Sequence, residues 1–383
     1  MGKKPAIRFF LTGNRREDYE IPVSDRPTET IPTNPIDGIA RDCFGKNGVF
    51  PISFCLPYQK LRPFREKAKE KELSFIVPGD PKTFVFTDEP SYMNEYQVSK
   101  FAVTRKKGGW DCVRHLEIMA ASCLPLFQKI EECPEYTMVH YPKAMFREIR
   151  DKQREMSEAE YDTWVTKIYD WFSEHLTSDR MVDYMLRVSG NTDAKNVLFV
   201  DGALPKKPDC QSAMILGGLK NRFKSSCEVA YPVECLYQGH PFPRKPRWWK
   251  TNFNIYQVFD DSFRSLNENV PNRRRIIGKI AAREYDLVVY GSVTRSLDLF
   301  KCVAAHYPKE KVLCINGDDD LLYGPPEIPP FKVRLKQRVR NYIRRDKFSG
   351  PQRDPSLSAI DQWRKLHSEI RAHSMIFIRE LVI

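Results

Sequence analysis

The sequence predicts an α/β protein with two domains, each built around a parallel β-sheet that helices cover on both faces. Three observations predict this fold class. Short apolar runs alternate with helical patterns, as the strands and helices of parallel sheets do. The alternation falls into two blocks, at about 75–190 and 191–325. A chain of 383 residues is also too long for one ordinary core.

The first block consists of short apolar or β-branched runs separated by helical patterns. It follows an N-terminal part rich in proline and turn formers, where only a short strand at 49–56 is expected. A long helical region closes the block, and Ser157 with Glu160 forms the signature of a helix N-terminus. We expect strands at 82–87, 99–104 and 123–127, and helices from about 91, from 110 to 121, and across 142–190.

The second block repeats the strand–helix–strand pattern, and a basic tail follows it. The tail alternates apolar and basic residues over 331–340 and ends in a helical stretch at about 356–371. We therefore place one domain at 1–190, a second at 191–325, and the tail with its terminal helix at 326–383. In the second domain we expect strands at 196–200, 285–291 and 311–317, helices at 211–222 and 297–306, and a cysteine-containing strand between the two helices.

Composition narrows the class of protein. Hydrophobic residues make up 41% of the chain and aromatic residues 12%, which is enough for packed cores and excludes wholesale disorder. The net charge of +12 favours acidic partners such as nucleotide diphosphates, nucleic acid or an anionic membrane. The sequence contains no Cys-x-x-Cys pair, no apolar run of about 18 residues and no evident secretory signal. We therefore expect a cytoplasmic protein in a reducing compartment.

The segment 104–127 carries the most informative chemistry. Gly108 and Gly109 let the backbone approach a ligand closely where a helix is expected to begin, and a helix N-terminus favours an anion. Lys106 and Lys107 come directly before the glycines and add positive charge. Together these features suit a diphosphate, whose negative charge must be neutralised as it leaves with a nucleotide.

Polar side chains recur along the helix that follows. Asp111, Arg114 and Glu117 are three apart and share a face, and Glu117 lies about two turns in, where it can accept hydrogen bonds from ribose hydroxyls. Asp111 and His115 are the candidate catalytic residues, His115 because histidine titrates near neutrality. Asp111 qualifies as the base by its residue type, as do Asp88, Glu89 and Glu95. The expected donor-binding residues of the segment are Thr104, Lys106, Lys107, Gly108, Gly109, Trp110, Arg114 and Glu117.

The string Gly-Trp-Asp-Cys-x-Arg-His-x-Glu-Ile at 109–118 resembles the donor-binding helix of GT-B glycosyltransferases. It more closely resembles exostosin-like and fucosyltransferase-like enzymes of large DNA viruses and bacteria. The flanking segments 86–97 and 133–138 also look like that family. Ser122 stands where such families usually have glycine.

The resemblance implies two Rossmann-like domains that face each other across a cleft. It also implies a glycosyltransferase that moves a sugar from a donor such as a UDP- or GDP-sugar to a hydroxyl of a glycan or glycoprotein. No metal or other cofactor is expected, because Lys106, Lys107 and the helix N-terminus would neutralise the leaving diphosphate.

Other segments leave alternatives open. Ser292 and Arg295 follow a strand directly, where they either bind the ligand from the second domain or belong to an ordinary strand-to-helix turn. Asp201, which follows another strand, has the same two interpretations. Asp318 and Asp320 resemble the metal-binding Asp-x-Asp of GT-A glycosyltransferases, which gives a metal-dependent alternative.

The basic residues have plainer interpretations as well. The segment 106–117 is, on this alternative, a solvated loop followed by an ordinary amphipathic helix. The tail at 331–340 is most often a solvated amphipathic element, and contact with a membrane surface stays open for it. The main rival to an enzyme is a nucleic-acid-binding or interaction protein that acts through this tail. If the glycosyltransferase hypothesis is correct, we expect no nucleic-acid partner.

Overall fold

The computed structural model describes residues 48–241, 253–317 and 369–381. Over these residues helices alternate with parallel strands, so the predicted α/β class is confirmed. None of the helices within these ranges is both long enough and apolar enough to cross a membrane.

The described residues form two compact units. The first unit consists of Arg62–Cys133 and Tyr141–Ser173. The second unit takes in Pro134–His140 together with the described residues before 62 and after 173. This division differs from the predicted boundary at 190, because the helix Ser178–Val188 packs against a helix of the second unit.

The elements are numbered in chain order. The strands are β1 (Val49–Pro51), β2 (Lys71–Leu73), β3 (Ser99–Thr104), β4 (Leu124–Phe127), β5 (Val197–Val200), β6 (Cys227–Val229), β7 (Leu287–Tyr290), β8 (Val312–Asn316) and β9 (Met375–Ile378). The α-helices are α1 (Glu89–Gln97), α2 (Val113–Ala120), α3 (Lys143–Lys152), α4 (Glu158–His175), α5 (Ser178–Val188), α6 (Cys210–Phe223), α7 (Leu266–Asn269), α8 (Arg273–Ala281) and α9 (Phe300–His306).

The first unit contains a three-stranded parallel sheet in the order β2-β3-β4. Helix α1 connects β2 to β3, and α2 connects β3 to β4. Strands β3 and β4 confirm the predictions at 99–104 and 123–127. The loop after β3 therefore leaves the carboxyl end of a central parallel strand, which is the edge where open α/β sheets bind ligands.

The strand predicted at 82–87 is wrong. Pro81–Thr83 form a short 3-10 helix that the Asp80 carboxylate caps. The rings of Phe84 and Phe86 then pack against the Tyr92 ring of α1, with ring centroids 6.5 and 5.5 Å apart. Aromatic and β-branched residues produced the strand pattern, but the aromatic rings pack on a helix instead of lying in a sheet.

The second unit contains a six-stranded parallel sheet in the order β1-β9-β8-β7-β5-β6. Within this sheet, the five neighbouring strands β6-β5-β7-β8-β9 follow the 2-1-3-4-5 order of doubly wound sheets. The strand order reverses between β5 and β7, and such sheets bind ligands at the carboxyl ends of the strands beside that point. Strands β5, β7 and β8 confirm the predictions at 196–200, 285–291 and 311–317.

Strand β9 corrects the prediction that 326–383 is only a basic tail with a terminal helix. Met375–Ile378 is a parallel strand between β8 and β1, with Cys314 opposite Ile376 and Phe50 opposite Phe377. The Phe50 and Phe377 rings stack with centroids 5.2 Å apart. Residues 369–373 are helical, and the described residues include nothing of the tail between 326 and 368.

Gly217 and Gly218 are adjacent in α6, and only Gly218 is in close contact with α5. A methyl group on Gly218 would overlap the Ser178 carbonyl oxygen and lie 2.8 Å from Val182 Cγ2, whereas one on Gly217 would meet nothing closer than 3.9 Å. We expect Gly218→Ala to lower the free energy of unfolding by about 1–3 kcal/mol, because overpacking forces the helices apart. Gly217→Ala is the matched control and should raise it by about 0.5–1 kcal/mol. Urea unfolding of both variants checks this, and equal effects would contradict it.

Candidate functional site

The loop after β3 begins at a buried strand end and leads to a helix that starts later than predicted. Helix α2 begins at Val113, not at Trp110. Cys112 is its N-cap in an extended conformation, and no side chain caps the helix. The reason lies in Trp110, whose carbonyl oxygen accepts a hydrogen bond from the His115 ring instead of entering a helical ladder. Gly108 and Gly109 therefore lie in the loop and do not adjoin the helix N-terminus.

The two lysines and the first glycine of this loop are exposed. Lys106 Nζ lies 5.0 Å from the centroid of the Trp110 ring, a cation–π contact that holds the lysine against the loop. The Lys107 backbone N–H donates to the Gly109 carbonyl at 3.0 Å, which tightens the turn. Gly108 is exposed between them, and Gly109 is buried. The surface of the loop thus presents two cations beside an accessible glycine backbone.

His115, a candidate catalytic residue by sequence, is held inside the protein, and its catalytic role stays a prediction. It is fully buried, its Nε2–H donates to the Trp110 carbonyl at 2.9 Å, and its Nδ1 accepts from the Thr104 hydroxyl at 2.7 Å. Burial, and then the neighbouring Arg114 charge, lower the pKa of His115 to about 3. A neutral ring with both nitrogens bonded inside the protein does not exchange a proton near neutrality. It ties the end of β3 to the loop.

This buried histidine predicts how stability depends on pH. Its folded-state pKa lies near 3 and its ordinary value is 6.5, so between these values the unfolded chain binds a proton that the folded chain does not. The contribution of His115 to stability is complete above pH 6.5 and is lost as the pH falls towards 3, at up to about 1.4 kcal/mol per pH unit.

Urea unfolding from pH 4 to 7 checks this. The free energy of unfolding should change less with pH for His115→Gln than for wild type. His306→Gln, which removes a half-buried histidine of α9, is the control. Parallel curves for His115→Gln and wild type would contradict the assignment.

Arg114 reinforces the same connection. Its Nε donates to the Thr104 hydroxyl at 3.4 Å and its Nη2 to the Arg105 carbonyl at 3.3 Å. The Arg105 guanidinium in turn donates to the Pro78 carbonyl at 2.7 Å. Arg114 is therefore buried against the backbone that leads into the loop, and its proposed contact with the donor remains a prediction.

Two tyrosines that the sequence analysis did not single out hold the acidic residues of the segment. The Tyr92 hydroxyl donates to Glu117 Oε2 at 2.6 Å, and burial together with the Glu117 charge raises the pKa of Tyr92 well above its usual value. The Tyr141 hydroxyl donates to Asp111 Oδ1 at 2.7 Å. Glu117 and Asp111 are both buried. The partners of these two pairs are 25 and 30 residues apart in sequence, so local sequence patterns do not predict them.

The other predicted ligand residues lie in the second unit, at the carboxyl ends of β5 and β7. Asp201 follows β5, and its carboxylate accepts from the Ser212 hydroxyl at 2.6 Å and from two backbone N–H groups of the following turn. Burial raises the pKa of Asp201. Gly291 follows β7, and a methyl group there would overlap the Ser212 hydroxyl. The start of α6 thus approaches the switch point so closely that only glycine fits.

Ser292 and Arg295 belong to the turn that follows Gly291. The Ser292 hydroxyl is buried and lies 3.4 Å from the Thr294 hydroxyl. The Arg295 guanidinium donates to the Lys207 carbonyl and lies 3.4 Å from the Asp209 carboxylate. Both interpretations of these residues stay open, because these contacts lie within the second unit and the Arg295 side chain is still 16% exposed.

The metal-dependent alternative falls outside the described residues. The described residues after β8 end at Gly317, so Asp318 and Asp320 lie outside them. The basic stretch at 331–340 also lies outside the described residues. Within the described ranges, no cluster of three or more His, Cys, Asp or Glu side chains is arranged to hold a metal ion.

A cavity of 260 Å³ lies at the opposite edge of the second unit's sheet, beside the amino ends of β7 and β8. Arg283 and Lys311 line it together with Asp193 and Asp286. Two positive and two negative side chains balance each other, so the lining does not favour an anionic ligand. This cavity is separate from the switch point, which lies at the carboxyl ends of the strands of the same sheet.

Comparisons with known protein families, with curated proteins and with solved structures give no match to this chain.

Proposed function

We propose that this protein is a glycosyltransferase that moves a sugar from a nucleotide diphosphate sugar to a hydroxyl of a glycan or glycoprotein. The observation that carries the proposal is the placement of exposed Lys106, Lys107 and Gly108 at the carboxyl end of the central strand β3. Ligands of open parallel sheets bind at this edge, and two cations with an accessible backbone suit a diphosphate.

Buried hydrogen bonds beneath the loop also support the glycosyltransferase hypothesis. Thr104, His115 and Arg114 join the end of β3, the loop and α2 by hydrogen bonds of 2.7–3.4 Å. A site that stabilises a leaving group must hold its charges in place before the reaction, because reorganisation during the reaction costs rate. In this proposal these residues position the loop, and the two lysines neutralise the departing diphosphate without a metal.

The proposal includes the GT-B arrangement of two Rossmann-like domains. The parallel sheet of each unit supports it at the level of fold class. The first unit would bind the donor, and the switch point of the second unit, with Ser292 and Arg295, would serve the acceptor side. A ribose contact for Glu117 and a base role for Asp111 belong to the proposal, and each requires its tyrosine partner to share or release the carboxylate.

A screen of nucleotide sugars tests the proposal. Thermal unfolding of the full chain should shift upward with a UDP- or GDP-sugar, because at about one hundred times Kd a ligand adds about 2.7 kcal/mol of apparent stability. The shift should survive EDTA. Free sugars serve as controls. No shift with any nucleotide sugar would overturn the proposal, and a shift that requires Mg²⁺ or Mn²⁺ would favour the alternative at Asp318 and Asp320.

Salt dependence separates the proposal from its nucleic-acid rival. A protein that neutralises many phosphates loses affinity steeply as salt rises, whereas one diphosphate gives a small slope. Titration of the hit from the screen, and of a single-stranded RNA of mixed sequence, at low and moderate salt gives both slopes. Tight RNA binding with a steep slope, and no nucleotide-sugar binding, would favour the rival.

A further inference from the structure

We propose that an exposed surface of the second unit binds an anionic lipid bilayer. The surface is formed by α7, the turn after it and α8, and we call it the α7–α8 patch. Its defining residues are Leu266, Val270, Arg273, Arg274 and Ile277. The proposal rests on the second unit alone and is independent of the glycosyltransferase proposal.

The apolar part of the patch is concentrated in a short stretch of chain. Leu266, Val270 and Ile277 have exposed fractions of 56%, 59% and 37%. They are three of the seven large hydrophobic side chains that the described residues expose. Single exposed apolar residues are common, but exposed apolar residues that recur within one short stretch of chain indicate an interaction site.

Helix α8 supplies the charged part. Its sequence Arg-Arg-Arg-Ile-Ile-Gly-Lys-Ile-Ala contains four cations and no acid. Ile276 and Ile280 are buried and form its inner face, whereas Arg273, Arg274 and Ile277 are exposed on the outer face. The outer face therefore carries two arginines around an exposed isoleucine.

The cations on the inner side of α8 share one buried carboxylate. Buried Glu228 lies 2.9 Å from Lys279 Nζ and 3.9 Å from Arg275 Nη2. Arg273 donates to the Tyr231 hydroxyl at 2.8 Å, and over the described ranges neither Arg273 nor Arg274 pairs with a carboxylate. Arg273 and Arg274 thus place two positive charges on the outer face of α8, which also exposes Ile277.

This combination fits the interface of an anionic bilayer. Aliphatic side chains enter the boundary between headgroups and acyl chains, while arginines contact the phosphates of anionic lipids. A nucleic acid would offer the arginines phosphates but would leave three aliphatic side chains in water, since stacking on bases needs aromatic rings. The patch is accordingly assigned to a lipid surface.

Vesicle flotation of the full chain tests the assignment. The probes are vesicles of phosphatidylcholine mixed with phosphatidylserine and vesicles of phosphatidylcholine alone. We expect binding to the mixed vesicles that weakens with added salt, because the attraction to the anionic surface is screened. Arg273→Gln with Arg274→Gln should weaken binding by about thirtyfold, at about 1 kcal/mol for each arginine. Leu266→Ser with Val270→Ser and Ile277→Ser should weaken it by at least about tenfold without any change of charge.

Matched variants separate the patch from general effects of charge and hydrophobicity. Arg180→Gln with Lys301→Gln removes two exposed cations elsewhere, and Val85→Ser removes a valine that is 65% exposed. Both controls should bind the mixed vesicles as wild type does. Circular dichroism melting of every variant checks that it is folded.

Three results would overturn the proposal. The first is no binding of wild type to the mixed vesicles. The second is equal binding by wild type and both patch variants, which would assign lipid contact to another basic segment. The third is a wild-type oligomer that the serine variant dissociates in sedimentation velocity, with no lipid binding, which would make the patch an interface between copies of this chain.

Discussion

Replacing Lys220 with methionine is expected to lower the free energy of unfolding by about 3–5 kcal/mol, because it leaves a buried carboxylate without its counter-charge. Lys220 lies on α6 and is fully buried. Its ammonium group pairs with Glu268 of α7 and also donates to the carbonyls of Cys227 and Phe263, at 3.0 and 2.9 Å. All three of its N–H donors are therefore used.

The Glu268 carboxylate is satisfied just as completely. It accepts from the Ser265 backbone N–H at 2.8 Å, which is one half of the capping box of α7, and from the Ser265 and Tyr237 hydroxyls at 2.7 and 2.6 Å. Burial and the Glu268 charge raise the pKa of Tyr237. The network joins α6, the start of β6 and α7, so the methionine variant loses a connection as well as a charge.

A double-mutant cycle measures the pair. Lys220→Met with Glu268→Gln removes both charges and keeps the side-chain carbonyl at residue 268 as an acceptor, so it should be less destabilised than the sum of the single variants, by about 0.5–3 kcal/mol. Lys301→Met, at an exposed position of α9, is the control and should change stability by less than about 0.5 kcal/mol. Additive effects in urea unfolding would show that the two charges do not act together.

Much of the sheet structure could be predicted because buried parallel strands appear in sequence as continuous apolar runs. Strands β3, β5 and β7 match such runs closely. Strand β9 was missed because its partners, Cys314 in β8 and Phe50 in β1, lie far from it in sequence. A run of four apolar residues after a basic segment with a helical pattern does not indicate that it pairs with two distant strands of a sheet.

That the loop of the candidate site follows a strand could be predicted from sequence, but its inner contacts could not. The exposed lysines and the glycine follow from residue types alone, and the structure puts them at a strand end. The role of His115 depends on its burial and on the Trp110 carbonyl, which no spacing rule shows. Ser122, where the resembling families usually have glycine, has φ of +52°, so this turn uses the left-handed conformation that glycine adopts without strain.

Replacing both Lys106 and Lys107 with alanine is expected to lower turnover by about two to three orders of magnitude, by analogy with the loss of a preorganised group that stabilises charge in the transition state. The start of α2 at Val113 makes these lysines more important than the sequence suggested. A helix dipole acts mainly within its first turn, and five residues lie between Lys107 and the first residue of this helix. The lysines are then the main positive charges of the loop.

Kinetics of the single and double variants, with the donor found in the nucleotide-sugar screen, check this expectation. Charge on the leaving diphosphate grows towards the transition state, so kcat should fall more than KM rises. Each single variant should lose less, because the neighbouring lysine partly replaces the missing charge. Lys167→Ala is the matched control: this exposed lysine lies 4.9 Å from the Trp164 ring centroid, close to the 5.0 Å between Lys106 and Trp110, and it should leave kcat unchanged. A folded double variant with wild-type kcat would mean that the loop is only a solvated basic segment and that the donor binds elsewhere.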